Sequence, residues 1–172
     1  MEKWRLENLY EFQEKINFFF FFLFFMDRFT KLFFLNIDGS SKSIYLNRFL
    51  NLEYVRNYGI AFGLVSNESN FFYFLIFFVG LLTLYVLIFL ISVGYNDKDR
   101  YLCYFMILAG AFGNLIDRLI YGYIIDFIDL HVGRYHFPTF NTADFSIFLG
   151  EIFLILRIFF KKGSNAFKDK KK

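Results

Sequence analysis

Two aspartates stand where an acid is expensive. Asp126 sits in Tyr123-Ile124-Ile125-Asp126-Phe127, and Asp144 in Phe140-Asn141-Thr142-Ala143-Asp144 at the head of an apolar run. Solvation poorly explains an acid between Ile and Phe. An ionisable group in or beside a membrane span costs roughly 2.5–3.5 kcal/mol on insertion scales, so each needs a partner or a function. Two carboxylates brought close cannot both ionise cheaply; they share a proton and titrate as a pair. One can then take a proton from water while the other donates a hydrogen bond to a scissile carbonyl, the aspartic-protease division of labour. Asp144 falls in a first helical turn, where the positive dipole end favours a carboxylate, so if the two acids meet it would be the base and Asp126 the acid. The plainer reading of Asp144 is a cap, because Asn141 with Asp144 three residues on imitates a capping box.

Other polar residues are similarly out of place. Asp27 and Lys31 are four apart and can pair on one helix face, either as a structural or snorkelling pair or as part of a site. Asn114, Asp117 and Arg118 follow the small residues Ala109, Gly110, Ala111 and Gly113, which suit tight helix packing; a self-satisfied polar cluster at a helix end is their simplest reading. Asn57-Tyr-Gly59-Ile-Ala61-Phe-Gly63 reads as a turn. Asp129, His131 and His136 read as polar surface, and with two histidines no metal site is expected. Glu151 and Arg157 lie six apart in the last apolar run, which does not put them on one face. Cys103, the single cysteine, sits in an apolar run and reads as a small buried residue.

The elements that must position these groups belong to a membrane. Of 172 residues, 57% are hydrophobic and 25% aromatic, with one proline, a composition far from that of a soluble domain. The clearest span runs from Phe71 to Gly94, 24 residues without a charge; as a helix it would be ~36 Å long against a hydrocarbon core of ~30 Å. Further spans are expected at about 101–121 and 141–160, and a first at about 9–31, where an amphipathic stretch extends the short run Phe18 to Met26. No small-residue cleavage site follows that run, so it is expected to stay attached. Four spans put both termini on one side. The N-terminal 15 residues, the 95–100 loop and the 161–172 tail carry eleven Lys/Arg in 33 residues, against six in the 65 residues of 28–69 and 121–143. Both termini are therefore expected to be cytoplasmic, with the two longer polar segments facing outward. Alternation at Ser43 to Leu50 and the Asp38-Gly39 turn signal predict some strand structure between the first two helices. The expected architecture is a single domain over 1–172, an all-α membrane protein of four transmembrane helices with that small outward β-containing segment. The net charge of +3, gathered at the C-terminus, does not indicate nucleic-acid binding.

Taken together, Asp27 with Lys31, the 57–63 motif, Gly113-Asn-Leu-Ile-Asp-Arg118, Ile124-Ile-Asp-Phe127 and Phe140-Asn-Thr-Ala-Asp144 resemble, in order and spacing, the lipoprotein signal peptidases, the type II signal peptidases of bacteria. The resemblance covers about residues 16–160. Ile124 stands where that family commonly has Val. The resemblance implies a four-helix membrane aspartyl peptidase of the inner membrane, with its active site near the outer face. It implies removal of the signal peptide in front of the diacylglyceryl-modified cysteine of a prolipoprotein. It casts Asp126 and Asp144 as the catalytic dyad and Asn57, Gly59, Asn114, Arg118, Asn141 and Ala143 as supporting positions, with Asp27 and Lys31 near the mouth of the site. Prolipoproteins and membrane lipids are the implied partners of a monomer that needs no cofactor. The main rival is a small proton or ion transporter, since intramembrane charges also mark conduction paths. It predicts polar residues through the full depth, and the uncharged span 71–94 argues against it. A noncatalytic assembly factor, its acids only joining helices, is the third reading.

Overall fold

Helix α1 (Glu2–Ile37) is continuous over 36 residues, about 54 Å at 1.5 Å per residue. It therefore begins before and ends beyond the expected span of 9–31. In this computed structural model the described residues are 2–37, 43–58 and 98–169, with 74, 78, 80–83, 85, 86 and 89. Ile16, Asp27, Lys31 and Phe34 form the buried side of α1, while Phe18, Phe21, Phe22, Phe25, Phe29 and Phe33 are exposed. So large an apolar surface is what lipid, not water, would cover.

Helices α2 (Lys98–Tyr121) and α3 (Thr142–Asp169) pack closely along small residues. A Cβ on Gly150 would lie 2.8 Å from the Cys103 carbonyl oxygen, and one on Gly110 would collide with the Ala143 backbone. The small-residue face of α2 thus serves helix packing, and Cys103 is buried in it. Gly122 ends α2 with φ +78°, its N–H bonded to the Arg118 carbonyl at 3.1 Å, a left-handed cap that glycine adopts without strain. Among the described residues one helix, Arg100–Tyr121, is long and apolar enough to cross a membrane. Most of the expected span 71–94 lies outside the described residues; those described within it are helical.

A four-stranded antiparallel sheet, in the order β1-β2-β3-β4, joins these helices. Strands β1 (Ile44–Asn47) and β2 (Leu50–Asn57) occupy the segment expected to carry strands; the Asp38-Gly39 turn signal lies outside the described residues. Strands β3 (Ile124–Val132) and β4 (Tyr135–His136) correct the all-α expectation, because half of the sheet comes from the stretch after α2. Residues Ile124 to Phe127 are all buried, so both faces of β3 are covered there and no alternation betrays it as a strand. Phe127 stacks on Phe34 of α1 at 4.4 Å between ring centroids, with planes 13° apart. Beyond β4 the chain returns along β3, with Phe140 N–H on the Ile128 carbonyl at 3.1 Å, and leads directly into α3.

Candidate active site

The sheet delivers Asp126 and the start of α3 delivers Asp144 into one cluster of amides. Asp126 is fully buried; its Oδ1 accepts from Asn141 Nδ2 at 2.7 Å and its Oδ2 from Asn57 Nδ2 at 2.8 Å. Burial pushes its carboxyl up to about 6; the Asn57 hydrogen bond opposes this, the Asp144 charge adds to it, and the Asn141 hydrogen bond and the Lys31 charge oppose it. Asp144 Oδ1 accepts from Asn114 Nδ2 at 2.7 Å. Asp144 also closes a reciprocal capping box: its N–H bonds Asn141 Oδ1 at 2.9 Å, and its Oδ2 accepts the Asn141 N–H at 3.2 Å. Capping and membership of the site are therefore not alternatives; the cap is what fixes the carboxylate.

The two asparagines connect the acids. Asn141 Nδ2 reaches Asp126 Oδ1 and, at 3.2 Å each, Asn114 Oδ1 and the Ile125 carbonyl. Obligate donors dictate both amide orientations. Lys31 Nζ, which can only donate, lies 2.8 Å from Asn114 Oδ1, so Nδ2 of that amide must face Asp144. The Asp144 backbone N–H claims Asn141 Oδ1, so Nδ2 of that amide must face Asp126.

Behind this layer lies a charge network tying α1 to α2. Lys31 Nζ is 3.0 Å from Asp27 Oδ2 and 2.8 Å from Asp117 Oδ2, and Arg28 pairs with both acids. Lys31 is 1% exposed, so it does not snorkel to an interface. Asp117 is not part of a self-satisfied cluster within α2; it is fully buried, pairs across to α1 and accepts the Ile125 N–H at 3.3 Å. Asp27 Oδ1 in turn accepts Thr142 Oγ1 at 2.9 Å and the Ala143 N–H at 3.0 Å, holding the first turn of α3. Ala143 contributes its N–H and its small size: a Cβ on Gly113 would lie 3.5 Å from the Ala143 Cβ.

The expected site residues Asp27, Lys31, Asn57, Asn114, Asp126, Asn141, Ala143 and Asp144 thus meet in one place. Arg118 joins more loosely, with Nη1 3.5 Å from the Asn114 carbonyl. Gly59 lies outside the described residues. Arg28, Asp117 and Thr142 join the cluster without a signal in the sequence, because the contacts that bring them there, Arg28 and Lys31 to Asp117 and Thr142 to Asp27, cross between distant helices and leave no local pattern. Glu151 is exposed on α3, apart from the cluster. Asp129, expected at the surface, is 3% exposed, and with His131 and His136 it forms the one group among the described residues spaced to hold a metal ion.

Helices exposing phenylalanine surround a buried cluster in which the Asn114 and Asn141 amides link Asp126 and Asp144, and the solved structures this chain is similar to are membrane enzymes. Two bacterial membrane enzyme structures determined by the in meso method, at 2.3 Å and 1.9 Å, superpose with a TM-score of 0.73 and 29% identity each, covering 88% and 84% of this chain and 91% and 92% of theirs. Residues 19–160 match the family model of signal peptidase (SPase) II, and the chain belongs to that family. It is 45% identical over 127 residues to the lipoprotein signal peptidase of Buchnera aphidicola subsp. Schizaphis graminum, covering 73% of this chain and 80% of that one. It is 41% identical over 135 residues to that of Wigglesworthia glossinidia brevipalpis (77% and 86% covered), and 44% over 124 residues to that of Thermodesulfovibrio yellowstonii (72% and 78%).

Proposed function

We propose that this signal peptidase is an aspartic endopeptidase in which Asp126 and Asp144 act as one proton-sharing pair on lipoprotein precursors. The observation that carries the reading is the Asn114–Asn141 amide bridge, which holds both carboxyls in fixed orientations with obligate donors behind it. Asp144 takes a proton from water as the water oxygen bonds to the scissile carbonyl carbon, and Asp126 gives its proton to the carbonyl oxygen. The tetrahedral diol then collapses. Asp144 passes its proton to the departing amide nitrogen as the C–N bond breaks, and Asp126 recovers one from a diol hydroxyl. The products are the carboxyl end of the signal peptide and the free amine of the cysteine that follows it. No step calls on a cofactor.

The substrate in this reading is a prolipoprotein whose cysteine already carries a diacylglyceryl group. Signal helix and lipid must both stay in hydrocarbon while the peptide bond meets water, which suits a site at a helix–sheet junction beside exposed phenylalanines. Four spans, cytoplasmic termini, a site facing outward across the bacterial inner membrane, a single domain and a monomeric state complete the proposal. It rests on the Lys/Arg asymmetry, the uncharged run 71–94 and the apolar faces of α1 and α3. The transporter alternative finds no support in the family match.

The test replaces Asp126 or Asp144 with Asn and follows a lipid-modified precursor in membranes. Each variant should fold and lose roughly 10³-fold or more in rate, within the range of general acid–base catalysis. Normal cleavage by either folded variant would refute the pair.

A further inference from the structure

The sheet carries a second cluster of chemistry-bearing side chains that the peptidase reading does not use. Asp129 and His131 are two apart on β3 and so project to the same face. Asn51 is the direct cross-strand partner of Asp129 on β2, and His136 that of His131 on β4. Strand register thus brings four polar residues from three strands together. His136 Nδ1 lies 2.8 Å and 3.0 Å from the two Asp129 carboxylate oxygens, and His131 Nδ1 is 3.7 Å from Oδ2. The two imidazoles stack at 4.9 Å between centroids. One ligand atom from each of Asp129, His131 and His136 lies within 4.8 Å of the others.

We propose that Asp129, His131 and His136 form a binding site for a divalent transition metal of the zinc class, clamping β4 to β3. Two imidazoles and one carboxylate are a donor set suited to borderline cations, and three protein ligands leave a coordination position open. A cation between the stacked imidazoles and the carboxylate would draw on all three at once. Asn51 strengthens the case. Its Nδ2 lies 3.1 Å from Asp129 Oδ2 and 3.5 Å from His131 Nδ1, while its Oδ1 is buried without a hydrogen-bond partner among the described residues. Leaving such an atom unsatisfied is costly. Turned over, the same amide would present its oxygen to a cation as a fourth donor. The side chain of His136 is 52% exposed, against 10% for His131 and 4% for Asp129, so an ion has a way in from one side. Gly133, at φ +62°, makes the two-residue turn that sets the hairpin register, and the chain beyond β4 runs back along β3 to Asn141. The clamp therefore sits on the connection between Asp126 and Asp144.

The experiment titrates the full chain in detergent, chelator-treated and free of any affinity tag, with Zn²⁺ by calorimetry and with Co²⁺ by visible absorption. The expected result is one ion per chain, d–d bands for Co²⁺, and a melting temperature raised by Zn²⁺. His136→Ala, a half-exposed change at a strand edge, should keep peptidase activity and weaken metal binding by roughly tenfold or more, in line with loss of one of three ligands. His131→Ala/His136→Ala should abolish the specific event. Equal binding by wild type and His136→Ala, or no saturable binding by wild type, overturns the site without touching the peptidase reading.

Discussion

Nδ2 of Asn114 lies 2.7 Å from Oδ1 of Asp144, and Lys31 Nζ, 2.8 Å from the other end of the same amide, prevents it from turning over. Asn114 therefore acts as a one-way connector: the charge of Lys31 polarises an amide whose hydrogen points at the proposed base. A carboxylate so held accepts a proton from water without first reorganising its surroundings.

Asn114→Ala should accordingly lower kcat by roughly 10²-fold while leaving KM within a few-fold, because the amide supports the reacting carboxyl and not the bound lipid. Steady-state cleavage of a lipid-modified peptide in detergent separates the two constants. A rise in KM at unchanged kcat would show instead that Asn114 holds substrate.

In the proposed mechanism Asp126 sets the pH behaviour. Its carboxyl, near 3.8 when unperturbed, is pushed up to about 6 by burial, with the Asp144 charge adding to the push against the Asn57 hydrogen bond. If Asp126 supplies the proton, kcat/KM falls as pH rises through about 6, and the limb for kcat lies higher still because bound substrate deepens the burial. Stability follows with a definite sign: the folded state holds this proton more tightly than the unfolded state. The contribution is therefore fully present below about 4 and is lost as pH rises through about 6. Melting curves from pH 4 to 8 should show that slope in wild type and lack that component in Asp126→Asn; identical slopes would remove Asp126 as the titrating group.

The residues that meet in the cluster were legible as candidates because each broke an apolar run: Asp126 between Ile and Phe, Asp144 three after a capping asparagine, Asp27 and Lys31 a helical turn apart. Pairings between distant segments were not. Nothing local to Asp117 announces Lys31 or Arg28 on α1, so it read as a partner for its neighbours within α2. Strand β3 escaped because Ile124 to Phe127 is covered on both faces, which erases the period-two signal that betrays a half-exposed strand. Asp129, His131 and His136 looked like surface because only the hairpin register brings them together.

In the ion-paired network between α1 and α2, buried Lys31 and part-buried Arg28 face the two buried acids Asp27 and Asp117. Lys31→Met leaves two buried acids sharing one guanidinium and should destabilise the fold by about 3–5 kcal/mol, the usual cost of orphaning a buried charge. Lys31→Met/Asp117→Asn restores the balance and should recover a measurable part of that loss in a double-mutant cycle read by thermal unfolding in detergent. Strict additivity of the two substitutions would mean that Lys31 and Asp117 are not coupled.

Gly113 shows how tightly this network controls the site. A Cβ there would lie 2.6 Å from Asp27 Oδ2, the oxygen facing Lys31 and Arg28, while Oδ1 of the same carboxylate holds Thr142 and the Ala143 N–H. Gly113→Ala must therefore turn or shift the Asp27 carboxylate, and with it the first turn of α3 that carries Asp144. The expected cost is about 1–3 kcal/mol in stability, as for other overpacked positions, together with a fall in cleavage rate of roughly tenfold or more, since sub-ångström misplacement of a catalytic group is expensive. Gly80→Ala is the control: among the described residues a Cβ at that helical position meets nothing within 4 Å, and alanine's better helix propensity makes the change neutral or slightly stabilising. Cleavage rate and melting temperature of the two variants, measured side by side, distinguish a specific push on Asp27 from a general intolerance of larger residues. Equal behaviour of the two would mean that Asp27 is not what positions Asp144.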